Sequence, residues 1–171
     1  MPSNIEIKAR IPSIEALLPR AIALADERPQ RFTQDDIFFD VTHGRLKLRV
    51  FADGSGELIH YLRANGEAPR KSDYRIAPVI DPETLRETLA RACGEIGRVR
   101  KQRTLLLVGH TRIHLDHVEG LGEFLELEVV LRDGETEEAG RATALALMAE
   151  LGVDHTELVG RAYLDLLTEL E

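Results

Sequence analysis

The apolar positions of this chain change period several times along its length. From Asn4 to Ile11, the residues Ile5, Ile7, Ala9 and Ile11 alternate with Glu6, Lys8 and Arg10. That is the two-residue period of a strand with one apolar face. Ser13–Ala25 reads as a helix with Ser13 as its N-cap, and Pro19 should kink or shorten it. Strands follow over Gln34–Val41, Gly44–Phe51 and Glu57–Ala64, the last two joined by a hairpin turn at Ala52-Asp53-Gly54-Ser55-Gly56. Arg70–Val79 is a further strand. Asp81-Pro82-Glu83 places an N-cap before a proline at the first helical position and opens a helix to about Cys93. Three more strands cover Arg98–Val108, Thr111–Val118 and Glu123–Leu131. A helix then runs from about Glu135 to near Gly152, and a short one lies over Ala162–Leu170. The short connections make the eight strands mostly antiparallel, so the expected class is α+β in one unit, 1–171.

Sorting each strand by parity separates its chemistry. Arg45, Lys47 and Arg49 share one face and Leu46, Leu48 and Val50 the other. Arg112, His114 and Asp116 lie opposite Ile113 and Leu115. Glu126 and Glu128 lie opposite Leu125, Leu127, Val129 and Leu131. Lys101 and Arg103 share a face, as do Tyr61 and Arg63. One such strand would suit a sheet with a solvated face. At least five strands carry one apolar and one charged face, the helices are too few and too apolar to leave one open sheet of eight strands flat, and a sheet of that size tends to curl or close. The expected architecture is therefore a closed or nearly closed antiparallel eight-stranded β-barrel, a tunnel with a charged interior and helices packed outside.

Charge sharpens this picture. The chain has a formal net charge of -8, which argues against nucleic acid as a general partner. Yet Asp40 to Arg112 carries 14 Lys or Arg against 9 Asp or Glu, a basic middle suited to a small polyanion. Glu126 and Glu128, about 7 Å apart by strand rise, repel unless a cation screens them. A hard divalent ion prefers carboxylate oxygens, and clustered Lys and Arg suit phosphate. Together they outline a phosphoryl-transfer site. Cys93 is the one cysteine, so no internal disulfide forms and a reducing compartment is expected. No apolar run suits a membrane span, and MPSNIEIKAR has no apolar signal region; the expected location is cytoplasmic. Gly54 and Gly56 are hairpin chemistry rather than a phosphate loop. His114 reads as a hydrogen-bonded barrel histidine, and Tyr61 as packing.

The segment NIEIKAR (4–10) resembles the ExExK signature of the CYTH superfamily, which groups class IV adenylyl cyclases with thiamine triphosphatases. QDDIFFD (34–40), GRLKLR (44–49), RKQRTL (100–105) and RIHLDHVEGLGEFLELE (112–128) follow in the order of that family's landmarks. GRLKLR and VEGLGEFLELE look most like the class IV cyclase branch. The resemblance implies a tunnel-like antiparallel barrel. It implies that Glu6, Glu126 and Glu128, helped by Asp116, bind Mg²⁺ or Mn²⁺. It implies that Lys8, Lys47, Arg49, Arg63, Lys101, Arg103 and Arg112 grip a triphosphate, with Lys8, Arg103 and Arg112 carrying catalysis. The implied reaction is ATP to cyclic AMP and pyrophosphate. The alternatives are hydrolysis of inorganic, nucleoside or thiamine triphosphate, or a non-catalytic polyphosphate-binding module. Family members can dimerise, so a homodimer is compatible with the resemblance. One position departs: Asn4 stands where the signature has its first glutamate, which weakens the case for a second tightly held metal.

Overall fold

The computed structural model describes residues 3–63 and 66–171. Ala64, the expected last residue of the third of the middle strands, lies outside the described residues. The order is β1 (Ser3–Arg10), α1 (Ile14–Leu24), β2 (Gln30–Phe39), β3 (Arg45–Phe51), β4 (Gly56–Arg63), β5 (Arg70–Val79), α2 (Pro82–Cys93), β6 (Glu95–Val108), β7 (Thr111–Val118), β8 (Gly122–Val130), α3 (Glu137–Glu150), a 3₁₀ turn (His155–Glu157) and α4 (Tyr163–Glu169). The eight strands close into an antiparallel barrel in the order β1-β5-β4-β3-β2-β6-β7-β8, with β8 pairing back onto β1. The expected α+β tunnel is therefore the observed fold.

Local chemistry sets the elements. Ser13 Oγ accepts from the Ala16 amide and Asp81 Oδ1 from the Thr84 amide, capping α1 and α2. α1 continues through Pro19 to Leu24 rather than stopping at it. In the β3–β4 hairpin, Asp53 Oδ1 accepts from the Ser55 amide while Gly54 takes φ 87°, a left-handed turn that suits glycine. β2 starts at Gln30, earlier than the alternation suggests, because Gln30, Arg31 and Phe32 find partners on the long β6 (Leu105, Thr104 and Arg103). β6 likewise begins at Glu95, directly after the Gly94 cap of α2.

The barrel is apolar outside and charged inside. Ile7, Ile113, Leu115, Leu125 and Leu127 point outward and pack under α1 and α3 against Leu17, Ala21, Leu147 and Met148. Ile37, Phe39 and Leu48 point outward under α2, where Leu85, Leu89 and Cys93 meet them. Each such side chain removed from water contributes about 1.5–3 kcal/mol, so the cohesion of the molecule lies between barrel wall and helices. The opposite parity is left free to carry charge. α4 packs against the end of the barrel where Phe38, Val99, Val118 and Phe124 face the lumen. A side chain at Gly97 would collide with Leu164 of α4, so glycine permits that close approach. No helix among the described residues is long and apolar enough to cross a membrane.

Candidate functional site

The lumen is a cavity of about 310 Å³. Its acidic wall is built by β1 and β8, whose antiparallel register sets Glu6 opposite Glu128 and Lys8 opposite Glu126. β7 adds Arg112 opposite Glu128 and His114 opposite Glu126. Ligand atoms of His114, Glu126 and Glu128 lie within 4.8 Å of one another. Among the described residues His114 Nδ1 is buried with no hydrogen-bond partner, the Glu126 carboxylate standing 3.6 Å away. Each carboxylate has a basic neighbour. Arg63 Nη1 donates to Glu6 at 2.8 Å, Arg112 Nε to Glu128 at 2.9 Å, and Lys8 Nζ lies 3.6 Å from Glu126. Burial raises the Glu6 pKa, and the charge of Glu126 raises it further, against the pull of Arg63. Glu126 is also buried, but Lys8 first, then His114 and Arg103, hold its carboxyl well below the usual range. Burial lowers Lys8 to about 8, against the pull of Glu126.

Opposite stands a basic wall from β3 and β6, organised by one carboxylate of β2. Asp36 is 1% exposed. It accepts from Arg49 Nε and Nη2 at 2.8 and 2.9 Å, from Lys101 Nζ at 2.9 Å and from Lys47 Nζ at 3.2 Å. Burial opposes ionisation, yet Arg49, Lys101 and Lys47 hold Asp36 well below the ordinary carboxylate range. One negative charge does not balance three cations. Lys47 shows the consequence: burial, then repulsion by Arg49, brings it down to about 7 despite Asp36.

The third part of the site comes from the C-terminal segment. Arg103 donates two hydrogen bonds to Asp116, at 2.7 and 2.8 Å, and the Tyr163 hydroxyl donates to the same carboxylate at 2.8 Å. The ring of Tyr163 packs edge-on to Phe124 and lies 3.8 Å from Lys8 Nζ. The Lys8 ammonium also donates to the Arg161 carbonyl at 3.3 Å. The C-terminal segment thus fixes the first-strand lysine from one end of the tunnel.

Lys8, Lys47, Arg49, Arg63, Lys101, Arg103, Arg112, Glu6, Glu126 and Glu128 all line one cavity. Asp116 is held by Arg103 and Tyr163 and stands outside the three-residue ligand cluster. His114, read from sequence as a barrel histidine, is buried in the lumen wall inside that cluster. Tyr61 lines the lumen too. Sequence reasoning passed over Asp36, Gln34 and Tyr163. Parity could have found the first two, because Ile37 and Phe39 point to the helices and so turn Gln34 and Asp36 inward. Tyr163 left no such signal, since it meets Asp116 only through a contact 47 residues away along the chain.

A model of the CYTH domain matches residues 3–163. The chain belongs to the CYTH domain family. A curated relative, the adenylate cyclase CyaB of Aeromonas hydrophila, is 25% identical over 94% of this chain and 86% of its own length. Among solved structures, the PH1012 protein of Pyrococcus horikoshii superposes with a TM-score of 0.86 at 22% identity, covering 96% of this chain and 99% of that one. HpAC1 of Hippeastrum, described as an adenylyl cyclase candidate with a dominant triphosphatase activity, superposes with a TM-score of 0.71 at 17% identity, covering 100% and 97%. At these identities the solved structures establish the CYTH fold, and the activities named are those of the relatives.

Proposed function

We propose that this CYTH protein is a divalent-metal-dependent enzyme that acts on a triphosphate inside its barrel, in the manner of a class IV adenylyl cyclase. The observation that carries this reading is the confrontation, across one cavity, of Glu6, Glu126 and Glu128 with Lys47, Arg49, Lys101 and Arg103. The donors fit a hard cation such as Mg²⁺ or Mn²⁺, because they are carboxylates. Burial first, and then the charge of Glu126, raise the Glu6 pKa against the pull of Arg63, and a cation at this wall would oppose both. Glu126 and Glu128 would hold the ion with Glu6 beside them, and Asp116 would support the site by fixing Arg103. When bound, the ion neutralises charge gathering on phosphate oxygens.

The protein side of the reaction is mostly positioning and electrostatics. Lys47, Arg49, Lys101 and Arg103 face the phosphate chain, with Arg63 and Arg112 flanking it. Asp36 and Asp116 hold these cations in place before substrate arrives, so no reorganisation is needed at the moment of reaction. The ribose 3′-oxygen attacks the α-phosphorus, and the bond from that phosphorus to the pyrophosphate oxygen breaks. The hydroxyl proton passes to Lys8 in its neutral form, which burial makes accessible by lowering the pKa to about 8; its Nζ lies 3.6 Å from Glu126 and 3.8 Å from the Tyr163 ring. Hydrolysis of a triphosphate would use the same clamps with water as the nucleophile. The likeness to HpAC1 favours keeping that second reading.

The test is incubation with ATP and, separately, inorganic triphosphate, each with Mg²⁺ or Mn²⁺, resolving cyclic AMP, pyrophosphate and orthophosphate by chromatography. Cyclic AMP with pyrophosphate, lost in Lys47→Ala, is the expected result. Orthophosphate alone would replace the cyclase reading with the hydrolase one. Neither product from either substrate would overturn both.

A further inference from the structure

The basic face of β3 does not end inside the tunnel. Lys47 and Arg49 line the cavity. Arg45, their neighbour by parity, lines a separate cleft outside it with Ile96, Asp165 and Thr168. Arg45 Nη2 donates to both carboxylate oxygens of Asp165 at 2.7 Å, across 120 residues of chain. The two side chains are 31% and 20% exposed, so water weakens their attraction and the pair adds little to global stability. What it fixes is the place of α4.

That helix needs fixing. Its seven residues fall well short of the roughly 12–15 that a helix requires on its own in water, and Ala162 at its start offers no side-chain acceptor to cap it. Tyr163 and Leu164 bury it against Phe38, Val99, Val118 and Phe124. Apolar burial is non-directional, and Leu164 rests on Gly97, which has no side chain to key it. The rotation of the helix is therefore set by directional contacts. Tyr163 and Asp165 are two residues apart, about 200° around the helix axis. On the inner side the Tyr163 hydroxyl donates to Asp116, and its ring lies 3.8 Å from Lys8 Nζ. On the outer side Asp165 accepts from Arg45. The helix is clamped from both sides.

We propose that Arg45 and Asp165 are positioning residues for the reaction in the tunnel: acting from outside it, they latch α4 in the rotation that keeps the Tyr163 hydroxyl on Asp116 and the Tyr163 ring on Lys8. This rests on the triphosphate reading of the charged centre, in which Lys8 takes up a proton. Neither latch residue lines the tunnel. Releasing the pair lets α4 turn, and Tyr163 then leaves Asp116 and Lys8 together. The Arg161 carbonyl, which accepts from Lys8, belongs to the same segment and shifts with it. The basic wall is held by Asp36 instead. Affinity for the phosphate chain should therefore survive release of the latch, while the placement of Lys8 should not.

The experiment is steady-state kinetics with ATP and with inorganic triphosphate, each with Mn²⁺, on wild type, Arg45→Gln, Asp165→Asn, the double variant and Arg45→Lys. Each single neutral variant should lower kcat about ten- to hundredfold and leave KM within about twofold, with Tm within about 4 °C of wild type. The double variant should be no worse than either single, because the pair acts as one unit. Arg45→Lys, which keeps the charge, should recover most of the loss. Hydrogen exchange over residues 159–169, read by mass spectrometry, should quicken in the neutral variants. An active wild type whose neutral variants keep their kcat would overturn the latch and leave the triphosphate reading standing. Additive losses in the double variant, no recovery in Arg45→Lys, unchanged exchange, or a fall in kcat that only tracks global unfolding would do the same. A wild type inert towards both triphosphates would overturn the triphosphate reading and the latch with it.

Discussion

Asp36→Asn probes the electrostatic design of the tunnel most directly. The substitution keeps shape and removes the one negative charge that, among the described residues, contacts Arg49, Lys101 and Lys47. Removing one partner of a buried ion pair costs about 3–5 kcal/mol, because the remaining charge is left uncompensated. The lower end applies here, since Lys47 is already reduced to about 7 and sheds its proton when its counter-charge goes. A loss of about 3 kcal/mol is expected at pH 7, or roughly 6–12 °C in Tm for a chain of this size. The pH dependence has a definite sign. The Asp36 pKa is lower in the folded state than in the unfolded one. Its contribution is therefore complete above the unfolded value of about 3.9 and is lost as pH falls towards the folded value. Wild type and variant should converge in acid and differ most at neutrality. Inorganic triphosphate should raise the Tm of the variant more than that of wild type, by replacing the missing negative charge. Thermal unfolding with and without the anion, across pH, measures both effects. A variant within about 0.5 kcal/mol of wild type at pH 7, with no extra gain from triphosphate, would refute the idea that one carboxylate organises the basic wall.

Lys47 binds its proton less tightly folded (about 7) than unfolded (10.5), so on its account stability rises with pH between those values. Lys47→Met should flatten that slope by up to about 1.4 kcal/mol per pH unit in denaturant titrations. Triphosphate bound near pH 7.5 should drive proton uptake by Lys47, seen as a buffer-dependent heat in calorimetry that Lys47→Met diminishes. Glu126→Gln and Glu128→Gln should each abolish metal-dependent turnover and weaken Mn²⁺ binding measured by calorimetry; undiminished Mn²⁺ affinity would count against these carboxylates as ligands. Tyr163→Phe removes the hydroxyl that donates to Asp116 and should cost about 1–3 kcal/mol by chemical denaturation, while Arg103 remains paired with Asp116.

What was legible in the sequence follows from the inverted design of the barrel. Because the apolar core lies outside the wall, against helices, the inward parity is free to be charged, and alternation in β1, β3, β7 and β8 reports both faces at once. That is why Glu6, Lys8, Lys47, Arg49, Arg112, Glu126 and Glu128 could be grouped before any coordinates. β2 resisted because its lumen face mixes Phe32, Gln34, Asp36 and Phe38, so no charged stripe announces it. Its organising carboxylate was hidden beside Asp35, which pairs outward with Arg98. Tyr163 was illegible for a different reason. Its position in a leucine-rich helix predicts packing, which it does supply against Phe124, but its hydroxyl and ring face meet Asp116 and Lys8 only because residues 158–163 return to β1. There the Val159 amide donates to the Lys8 carbonyl, and Leu158 bridges to Ala9. A side chain whose role depends on where the chain returns leaves no local periodicity. On the proposed function, the same contacts give the C-terminal segment a part in the chemistry: it holds the lysine that faces Glu126, and loosening it would misplace the amine while leaving the charged walls intact.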